Sequence, residues 1–577
     1  MDPITLEVVT SSLTAFADEM TTSFWKSSYS YFNYEIRDFA VGFIDPRGRI
    51  ITQSRYTHPA FTGDLGFVVK GAVDTLGEDL IEDGDVIATN DPMIQGQHLN
   101  NVVVFTPVFW EGKLFGYSCV RAHLHDIGGS TIGSGSPSTT EIFQEGLQIR
   151  AARIYRKGRP NPDVLGMIEG NSRFPEMVMG DLNAQMAATR LGHRRISELL
   201  SRFDFDVVEE AIAANWNMTE SAARAALAKT TPGTYTAASF LDNDGIGNEP
   251  VHIRVRVEVT HDRMVVDFSE VADQVKGSLN SGYYGGATNV GRIAFKCLTT
   301  PHLPSNEGCF RPLEIICPEG KILNARRPAA MYEWSVIFPT VIDTVLKAIA
   351  DAAPGRIPAA TRGDPRGVGI AGFDAAHRKY FSIHIPHPGG HGARPNHDGP
   401  APKCSIQQGN EHSMPVEINE SKYPVIFDRI ALRTDSAGAG TYRGGLGTDV
   451  IAHMSLASTA RSNMIRSLCL PWGIHGGKEA VGNEAYLLAP DGTHSQKLSR
   501  RVDYELPAGQ AVRILTGGGG GYGSPYERPV ETVVEDVVNG YVTPEAAERE
   551  YGVVVTAAGV VDEQRTQAAR AAAKVTA

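Results

Sequence analysis

The sequence predicts an α+β (mixed α/β) protein of several domains, with antiparallel hairpins and sheets, flanking helices and a helical C-terminal tail. Two observations predict this class. Apolar residues recur three or four positions apart in some segments, whereas in others they form short β-branched runs between turn residues. In addition, 577 residues are too many for one hydrophobic core, and this length suits about three or four domains.

Changes of pattern divide the chain into four predicted regions. The clearest change is at Thr231-Pro232-Gly233, where helical segments give way to alternating strands. We predict an N-terminal α/β domain that carries the candidate site, a central α/β domain, a β-rich domain and a helical C-terminal segment. Their predicted bounds are residues 1–230, 231–402, 403–523 and 524–577.

The N-terminal segment is predicted to be a helix followed by a hairpin. Apolar residues from Leu6 to Phe24 are three or four positions apart, and Pro3 suits the first helical turn. The hairpin FAVGFIDPRGRIITQS turns at DPRG. Asp38 directly precedes its first strand, and the neighbouring Arg37 offers it an ordinary ion pair as an alternative role.

A second hairpin is the main functional signal. After a predicted helix over Asp64–Leu76 and a buried strand over Val86–Thr89, two apolar runs cover Val102–Trp110 and Leu114–Val120. The connector Glu111-Gly112-Lys113 between them predicts a turn.

Folding this hairpin about Gly112 brings polar side chains from both open ends together. Imidazole, amide and carboxylate groups in one place can bind a divalent cation. An equally weighted alternative is that these side chains face water, because histidine is also an ordinary surface residue. The side chains concerned are His98, Asn101, His123, His125 and Asp126.

The remaining elements follow from similar patterns. Ser130–Thr140 is rich in Ser, Thr and Gly, which predicts either a flexible lid or a plain surface loop. Helices are predicted over Gly180–Phe203, Val207–Lys229 and Phe338–Ala352, and strands dominate residues 414–515.

A histidine-rich segment, PHPGGHGARPNHDG, covers Pro386–Gly399. Histidine-rich segments can bind metal, but Gly and Pro fix no ligand geometry here, so we predict a solvated loop. A last start signal, Thr543-Pro544-Glu545, predicts helix in the C-terminal region.

The glycine-rich segments do not predict a nucleotide site. TGGGGGYGSP lacks the Lys-Ser/Thr of a P-loop, and GAGTYRGGLG follows no clear βαβ unit. Both are predicted to be tight turns or close backbone approaches. The sequence also contains neither G-x-S-x-G nor H-E-x-x-H, so it offers no complete ATP site and no hydrolase triad of its own.

Composition narrows the class further. The net charge is −12 and there is no Lys/Arg-rich run, which argues against nucleic acid as a partner. The six cysteines include no C-x-x-C pair, which fits a reducing compartment. The N-terminus does not resemble a signal peptide, and no apolar window is long enough to span a membrane. We therefore expect a cytoplasmic protein with no membrane association.

An ordered set of motifs resembles the B-type subunits of the hydantoinase/oxoprolinase family, which includes the large subunits of ATP-dependent ketone carboxylases. The resemblance extends from Asp2 to about Val553. The motifs, in chain order, include DPITLEVV, RDFAVGFIDPRGRI, NDP with GQHLNN, RAHLHDIGG, GDLNAQMAATRLGHRRISEL, GSLNSGYY, NEGCFRPLEIICPEGKILN, GGHGARPNHDG, MPVEINESKYPV, GAGTYRGGLG and GGGGGYGSPYERP.

This resemblance implies a hetero-oligomer in which two subunits carry out different steps of the reaction. An A-type partner would bind ATP and Mg²⁺ and phosphorylate a carbonyl oxygen, and this chain would complete the reaction. The first expectation is ATP-dependent opening of a cyclic amide, such as a hydantoin, an oxoproline-like ring or a lactam. Two alternatives are a subunit of a ketone carboxylase and a non-catalytic scaffold.

The resemblance also implies a metal site on named residues. The family pattern places ligands at Asp38, His98, Asn101 and His123, with Asn101 standing where the pattern usually has Asp. The amide removes one negative charge, so we expect weaker metal binding, a less clear preference for Zn²⁺ or Mn²⁺, or a vacant site. His125 and Asp126 are the candidates for proton transfer, with Asp126 also available to support a ligand.

Overall fold

The computed structural model describes residues 1–500 and 502–576. It has the predicted mixed α+β architecture, with several antiparallel sheets and a helical C-terminal part. The helices of the first 230 residues are α1 (Pro3–Ser27), α2 (Pro59–Thr62), α3 (Leu65–Leu76), α4 (Pro92–Gln95), α5 (Pro162–Gly170), α6 (Pro175–Phe203) and α7 (Phe205–Leu227).

The same part of the chain forms a seven-stranded sheet with the order β2-β1-β5-β4-β3-β6-β7. Both predicted hairpins are confirmed, as β1–β2 and β4–β5. The strands are β1 (Phe39–Ile44), β2 (Ile50–Gln53), β3 (Val86–Thr89), β4 (Asn101–Trp110), β5 (Lys113–His123), β6 (Ala152–Arg156) and β7 (Arg159–Pro160).

The central strands of this sheet are apolar throughout because both faces are covered. In β4, Val102 and Val104 point into a core shared with the central region, whereas Val103 and Phe105 pack towards α3. Helix α1 packs with α6 and α7 in a third cluster. As predicted, α1 starts near Pro3, and the Asp2 side chain caps its first turn.

The central region adds a four-stranded sheet in the order β11-β10-β9-β8 and two buried helices. The largest hydrophobic cluster includes residues of this region and of the N-terminal sheet, so the two parts share one core. The elements are β8 (Gly233–Leu241), β9 (Val251–Val259), β10 (Met264–Asp267), α8 (Asn289–Thr299), β11 (Leu313–Ile316) and α9 (Phe338–Ala348).

Helix α9 is shorter than predicted. Its last residue is Ala348 rather than Ala352. Residues Pro354 and Gly355 follow closely, and the latter has a φ of 72°. Such residues favour turns over continued helix, so apolar spacing alone overextended this helix.

The last part of the chain contains two further sheets, ordered β13-β12-β16-β19 and β14-β15-β20-β17-β18. The strands are β12 (Val368–Asp374), β13 (Lys379–His384), β14 (Val425–Arg433), β15 (Gly447–Met454), β16 (Ser458–Ser462), β17 (Glu484–Leu488), β18 (His494–Lys497), β19 (Asp503–Leu506) and β20 (Ala511–Leu515). The helices are α10 (Val416–Lys422), α11 (Val530–Val538), α12 (Pro544–Tyr551) and α13 (Glu563–Thr576).

The two glycine-rich segments pack against each other, as predicted for close backbone approaches. The amide of Gly519 donates to the carbonyl of Gly445, and the amide of Gly438 donates to the carbonyl of Gly519. A Cβ on Gly444 would lie 1.7 Å from the oxygen of Gly519. Glycine is therefore required at this junction.

In the part of the chain that the structure describes, no helix has both the length and the apolar character needed to cross a membrane.

Candidate active site

The register of the N-terminal sheet brings the predicted ligands together. Asn101 pairs with His123 at the open end of the β4–β5 hairpin. Strand β1 lies on the other side of β5, where the His123 amide donates to the Asp38 carbonyl at 3.2 Å. His98 lies in the turn before β4. Four side chains from three neighbouring segments thus meet at one edge of the sheet.

Two of the three distances among the His98, Asn101 and His123 ligand atoms suit a small cation, whereas the third is that of a direct hydrogen bond. Nε2 of His98 is 2.8 Å from Oδ1 of Asn101, and Nδ1 of His123 is 3.2 Å and 3.3 Å from these two atoms. Ligand atoms about 2.1 Å from one ion are about 3.0–3.4 Å apart. Oδ2 of Asp38 is farther away, at 3.9 Å from Nδ1 of His123.

Among residues 1–500 and 502–576, no group of three or more His, Cys, Asp or Glu side chains is placed to hold a metal ion as it stands. A cation at the present group would bind the amide oxygen of Asn101 as well as the two histidines, and the Asp38 carboxylate would have to move slightly closer to reach it. Its donor types fit a divalent cation, and so do the distances from Nδ1 of His123 to the ligand atoms of His98 and Asn101. The ligand roles themselves stay predictions.

Neighbouring side chains orient these groups. Oε1 of Gln97 accepts from Nδ2 of Asn101 at 2.8 Å, which turns the amide oxygen towards the two histidines. Nδ1 of His98 has two neighbours, Nη2 of Arg366 at 2.8 Å and the carbonyl of Tyr332 at 3.2 Å. Nδ1 can either accept from Arg366 or donate to the Tyr332 carbonyl, and these two hydrogen bonds require the His98 proton on different ring nitrogens.

Burial keeps the imidazoles neutral. It lowers the pKa of His98 to about 3, with the Arg366 charge acting in the same direction, and lowers the pKa of His123 well below its usual value. Burial also raises the pKa of Asp38 to about 7, against the opposing effect of His58. Neutral imidazole is the form that binds metals.

A second set of side chains, which the sequence analysis missed, lies beside this edge. Nε2 of His58 is 3.7 Å from Oδ1 of Asp38 and 3.6 Å from Oε2 of Glu411. Burial raises the pKa of Glu411 to about 8. Neither His58 nor Glu411 belongs to a periodic pattern. The only sequence signal for either is that His58, in the segment HPAF, closely follows the first predicted hairpin.

These groups line a cavity of about 90 Å³, large enough for several water molecules or one compact ring. His125 lies in the same cavity, where its ring packs 4.3 Å from Phe174 and 5.4 Å from Phe32. Burial lowers the pKa of His125 to about 4.

Asp126 does not line this cavity. Its fully buried carboxylate accepts from the amides of Gly128 and Gly133 and from the Arg173 side chain. These contacts stabilise the following loop, so the placement does not support Asp126 as a proton-transfer group.

That loop is neither an open lid nor a plain surface loop. Ser134 and Thr139 are buried, and Ser134 accepts from the Ile127 amide at 2.8 Å. The histidine-rich segment also differs from the solvated loop that we predicted. His387 lines the cavity and contacts the backbone of Ile385 and Pro365, because strand β13 leads the chain inward.

Buried polar atoms without a partner among the described residues are most numerous around this cavity. Five of its lining side chains have such atoms in the described part of the protein: His58 (Nδ1), His125 (both ring nitrogens), Trp334 (Nε1), Gln407 (Oε1 and Nε2) and Glu411 (Oε2). A larger cavity of about 700 Å³ lies between the β-rich part and α12, and within residues 1–500 and 502–576 none of its lining side chains has an unpartnered buried atom. Since buried polar groups are normally paired, the smaller cavity is the better candidate for a ligand site.

Comparison with known proteins supports a specific relationship. A profile of the family described as hydantoinase B/oxoprolinase matches residues 2–525. The B subunit of a putative D-/L-hydantoinase of Pseudomonas sp. (strain NS671) is 30% identical over 99% of this chain and 98% of its own length. The beta subunit of the caprolactamase of Pseudomonas jessenii is 32% identical over 99% of both chains.

Solved structures agree with these matches. The crystal structure of ATP-dependent caprolactamase from Pseudomonas jessenii has a TM-score of 0.92, with 31% identity over 99% of this chain and 100% of the matched chain. A nucleotide-free acetone carboxylase has a TM-score of 0.89, with 19% identity over 100% of this chain and 83% of the matched chain. At that identity, the second similarity is one of fold alone.

Proposed function

This chain belongs to the hydantoinase B/oxoprolinase family, and from that premise we propose that it is the B-type subunit of an ATP-dependent amidohydrolase that opens a cyclic amide. The observation that carries this proposal is the full-length similarity to the beta subunit of a caprolactamase, at 32% identity. The cavity beside Asp38, His98 and His123 supports it, since it combines polar groups with space for a compact ring.

We place ATP on a partner. The relatives are named as the B or beta subunits of their enzymes, which supports a hetero-oligomer with an A-type chain. That partner would bind ATP with Mg²⁺ and phosphorylate the carbonyl oxygen of the substrate. The absence of a P-loop in this sequence agrees with this division. All six cysteines are free thiols, which supports a cytoplasmic location for the protein.

This chain would then direct water to the activated carbonyl carbon. The water oxygen bonds to that carbon while a water proton passes to a base, and the ring C–N bond breaks with its nitrogen protonated. The acyl phosphate left on the carbonyl carbon is then hydrolysed by a second water to a carboxylate and inorganic phosphate. His125 and Glu411 would serve these proton transfers: both line the cavity, the buried imidazole is neutral, and the Glu411 pKa of about 8 is near the ambient pH.

A divalent Zn²⁺ or Mn²⁺ would be held by Asp38, His98, Asn101 and His123. When bound, it would supply Lewis acidity or lower the pKa of water. The chain's own contribution is to keep both imidazoles neutral and to orient the Asn101 amide through Gln97.

The two alternatives have less support. The likeness to acetone carboxylase is one of fold, so it does not favour carboxylation of a ketone. A non-catalytic scaffold has no need of five cavity side chains whose buried polar atoms have no partner in the described protein.

The test is to purify the chain with its co-encoded A-type partner and to measure ATP turnover and ring opening. The substrates are hydantoins, 5-oxoproline, lactams and ketones, with and without bicarbonate. We expect ring opening of a cyclic amide without bicarbonate, and a loss of about 10- to 100-fold or more in His98→Ala and His123→Ala. The exposed His377→Ala is the matched control. Strict bicarbonate dependence would contradict the hydrolase, and full activity of both variants would favour the scaffold.

A further inference from the structure

Gln407 has an unusual environment for a buried amide. Its side chain is fully buried, lines the cavity, and has no hydrogen-bond partner for either Oε1 or Nε2 among the described residues. The neighbouring Gln408 differs, because its Nε2 donates to the Pro365 carbonyl and its Oε1 accepts from the Ser405 amide. Gln408 thus holds the loop, whereas the carboxamide of Gln407 is free to pair with a ligand.

The backbone fixes this loop against the metal-site edge. The Gln407 carbonyl accepts from the amide of Ala60 at 3.1 Å. Ala60 belongs to α2, which directly follows His58. The position of Gln407 is therefore tied to the same short helix that places His58 beside Asp38.

A free carboxamide selects a particular chemical partner. It offers an N–H donor and a carbonyl acceptor side by side. The amide of a small ring is held cis, so its C=O and N–H also lie side by side and can form two hydrogen bonds with a carboxamide. Open-chain secondary amides are trans and present these groups on opposite sides. A ketone has no N–H and would leave Oε1 of Gln407 unpaired.

A second donor in the cavity agrees with this assignment. Nε1 of Trp334 is buried and has no partner in the described part of the chain, and indole can only donate. Nε2 of Gln407 and Nε1 of Trp334 both require acceptors, whereas Oε1 of Gln407 requires a donor. A ligand with carbonyl oxygen and N–H satisfies all three atoms.

We infer that Gln407 determines substrate specificity by pairing with the cis-amide edge of a cyclic amide, through N–H to Oε1 and Nε2–H to the substrate carbonyl. This inference rests on the proposed amidohydrolase function, which it makes more specific: the ring nitrogen must carry hydrogen.

The test is equilibrium binding to the complex with its A-type partner in the absence of ATP, so that ring opening does not enter. The probes are δ-valerolactam, cyclohexanone of the same ring size, and N-methylacetamide as a trans amide. We expect the wild type to bind the lactam about 10- to 100-fold more tightly than either other probe.

The variant Gln407→Leu should lose that preference, because lactam binding weakens about 10- to 100-fold. Cyclohexanone binding should change less than about 3-fold, since its hydrogen bond from Nε2 is lost together with the unpaired Oε1. A merely structural role would weaken both probes alike. The matched control is Gln53→Leu, since Gln53 also has a buried Oε1 with no partner among the residues that the structure describes, but lines a different cavity. It should keep the lactam preference.

If Gln407→Leu does not fold, it is replaced by Gln407→Met, whose side chain is closer in shape to glutamine. The comparison of probes on the wild type requires no variant. Equal binding of lactam and ketone by the wild type, or a lactam preference that persists without Gln407, would overturn the inference. Ring opening is measured separately with ATP. Its absence alongside a Gln407-dependent lactam preference would reject the hydrolase and leave the pairing in place.

Discussion

Nη2 of Arg366 lies 2.8 Å from Nδ1 of His98. A guanidinium can only donate, so Nδ1 of His98 accepts, and the proton of the neutral imidazole is on Nε2. That nitrogen then donates to Oδ1 of Asn101, 2.8 Å away. In this arrangement the lone pair that a metal needs is not on Nε2. If Arg366 moved away, Nδ1–H of His98 could donate to the Tyr332 carbonyl, 3.2 Å away, and this bond would stabilise the other tautomer.

We therefore predict that Arg366→Ala increases metal affinity. Removing the guanidinium allows Nδ1–H of His98 to donate to the Tyr332 carbonyl, frees Nε2, and removes a positive charge from the site. The expected gain is about tenfold for Zn²⁺ or Mn²⁺, measured by competition with a chelating dye. Arg326→Ala, on the exposed side chain that pairs with Glu319, is the control. A loss of affinity would mean that Arg366 supports the ligand instead.

Asn101→Asp should change stability in opposite directions with and without metal. Asn101 is fully buried, and its Nδ2 donates to Gln97, so a carboxylate there loses this bond and carries a buried charge. With a divalent cation, the same charge strengthens the ligand set.

We expect a lower melting temperature in chelator, a higher one with Zn²⁺ or Mn²⁺, and at least tenfold tighter metal binding than in the wild type. Asn171→Asp, at the C-terminus of α5, controls for a new carboxylate elsewhere. If metal does not raise the melting temperature of Asn101→Asp, these four residues do not form a metal site.

The sequence predicted the half of the site that depends on local pattern. Two apolar runs around Gly112 define a hairpin, and the register of a hairpin determines that Asn101 faces His123. It could not predict Arg366, which is 268 residues from His98 along the chain and contacts it only through the packing of the central region. Gln407 and Glu411 likewise come from a loop without periodicity, and whether their polar atoms have partners is a property of the folded structure alone.

The pH dependence of stability should reveal Glu145. This buried carboxyl accepts from the amides of Met331 and Tyr332, yet burial raises its pKa to about 8. The folded protein therefore retains a proton that the unfolded chain releases at a pKa near 4.5. Its contribution to stability is full below that value and is lost as the pH rises to about 8.

The isosteric Glu145→Gln keeps the accepting oxygen and cannot ionise. We expect the wild type to lose stability relative to this variant by up to about 1.4 kcal/mol for each pH unit between about 5 and 8. Thermal unfolding midpoints of both proteins at pH 5, 6, 7 and 8 measure the difference, with the exposed Glu111→Gln as control. Parallel curves for the wild type and Glu145→Gln would show that Glu145 is already ionised at pH 5.

The glycine-rich junction gives the last prediction. A Cβ on Gly519 would lie 1.9 Å from the carbonyl oxygen of His391, which is backbone and cannot rotate away. Gly519→Ala should therefore destabilise the protein by about 1–3 kcal/mol or more, seen as a lower thermal midpoint and less soluble protein. Gly166→Ala in α5 is the matched control, since no atom of the described residues lies within 4 Å of its added Cβ, and it should gain about 0.5–1 kcal/mol. The contradicting outcome is that the chain alone binds ATP and that Gly519→Ala abolishes this binding without loss of stability. This segment would then be a nucleotide site, and there would be no reason to assign ATP to a partner.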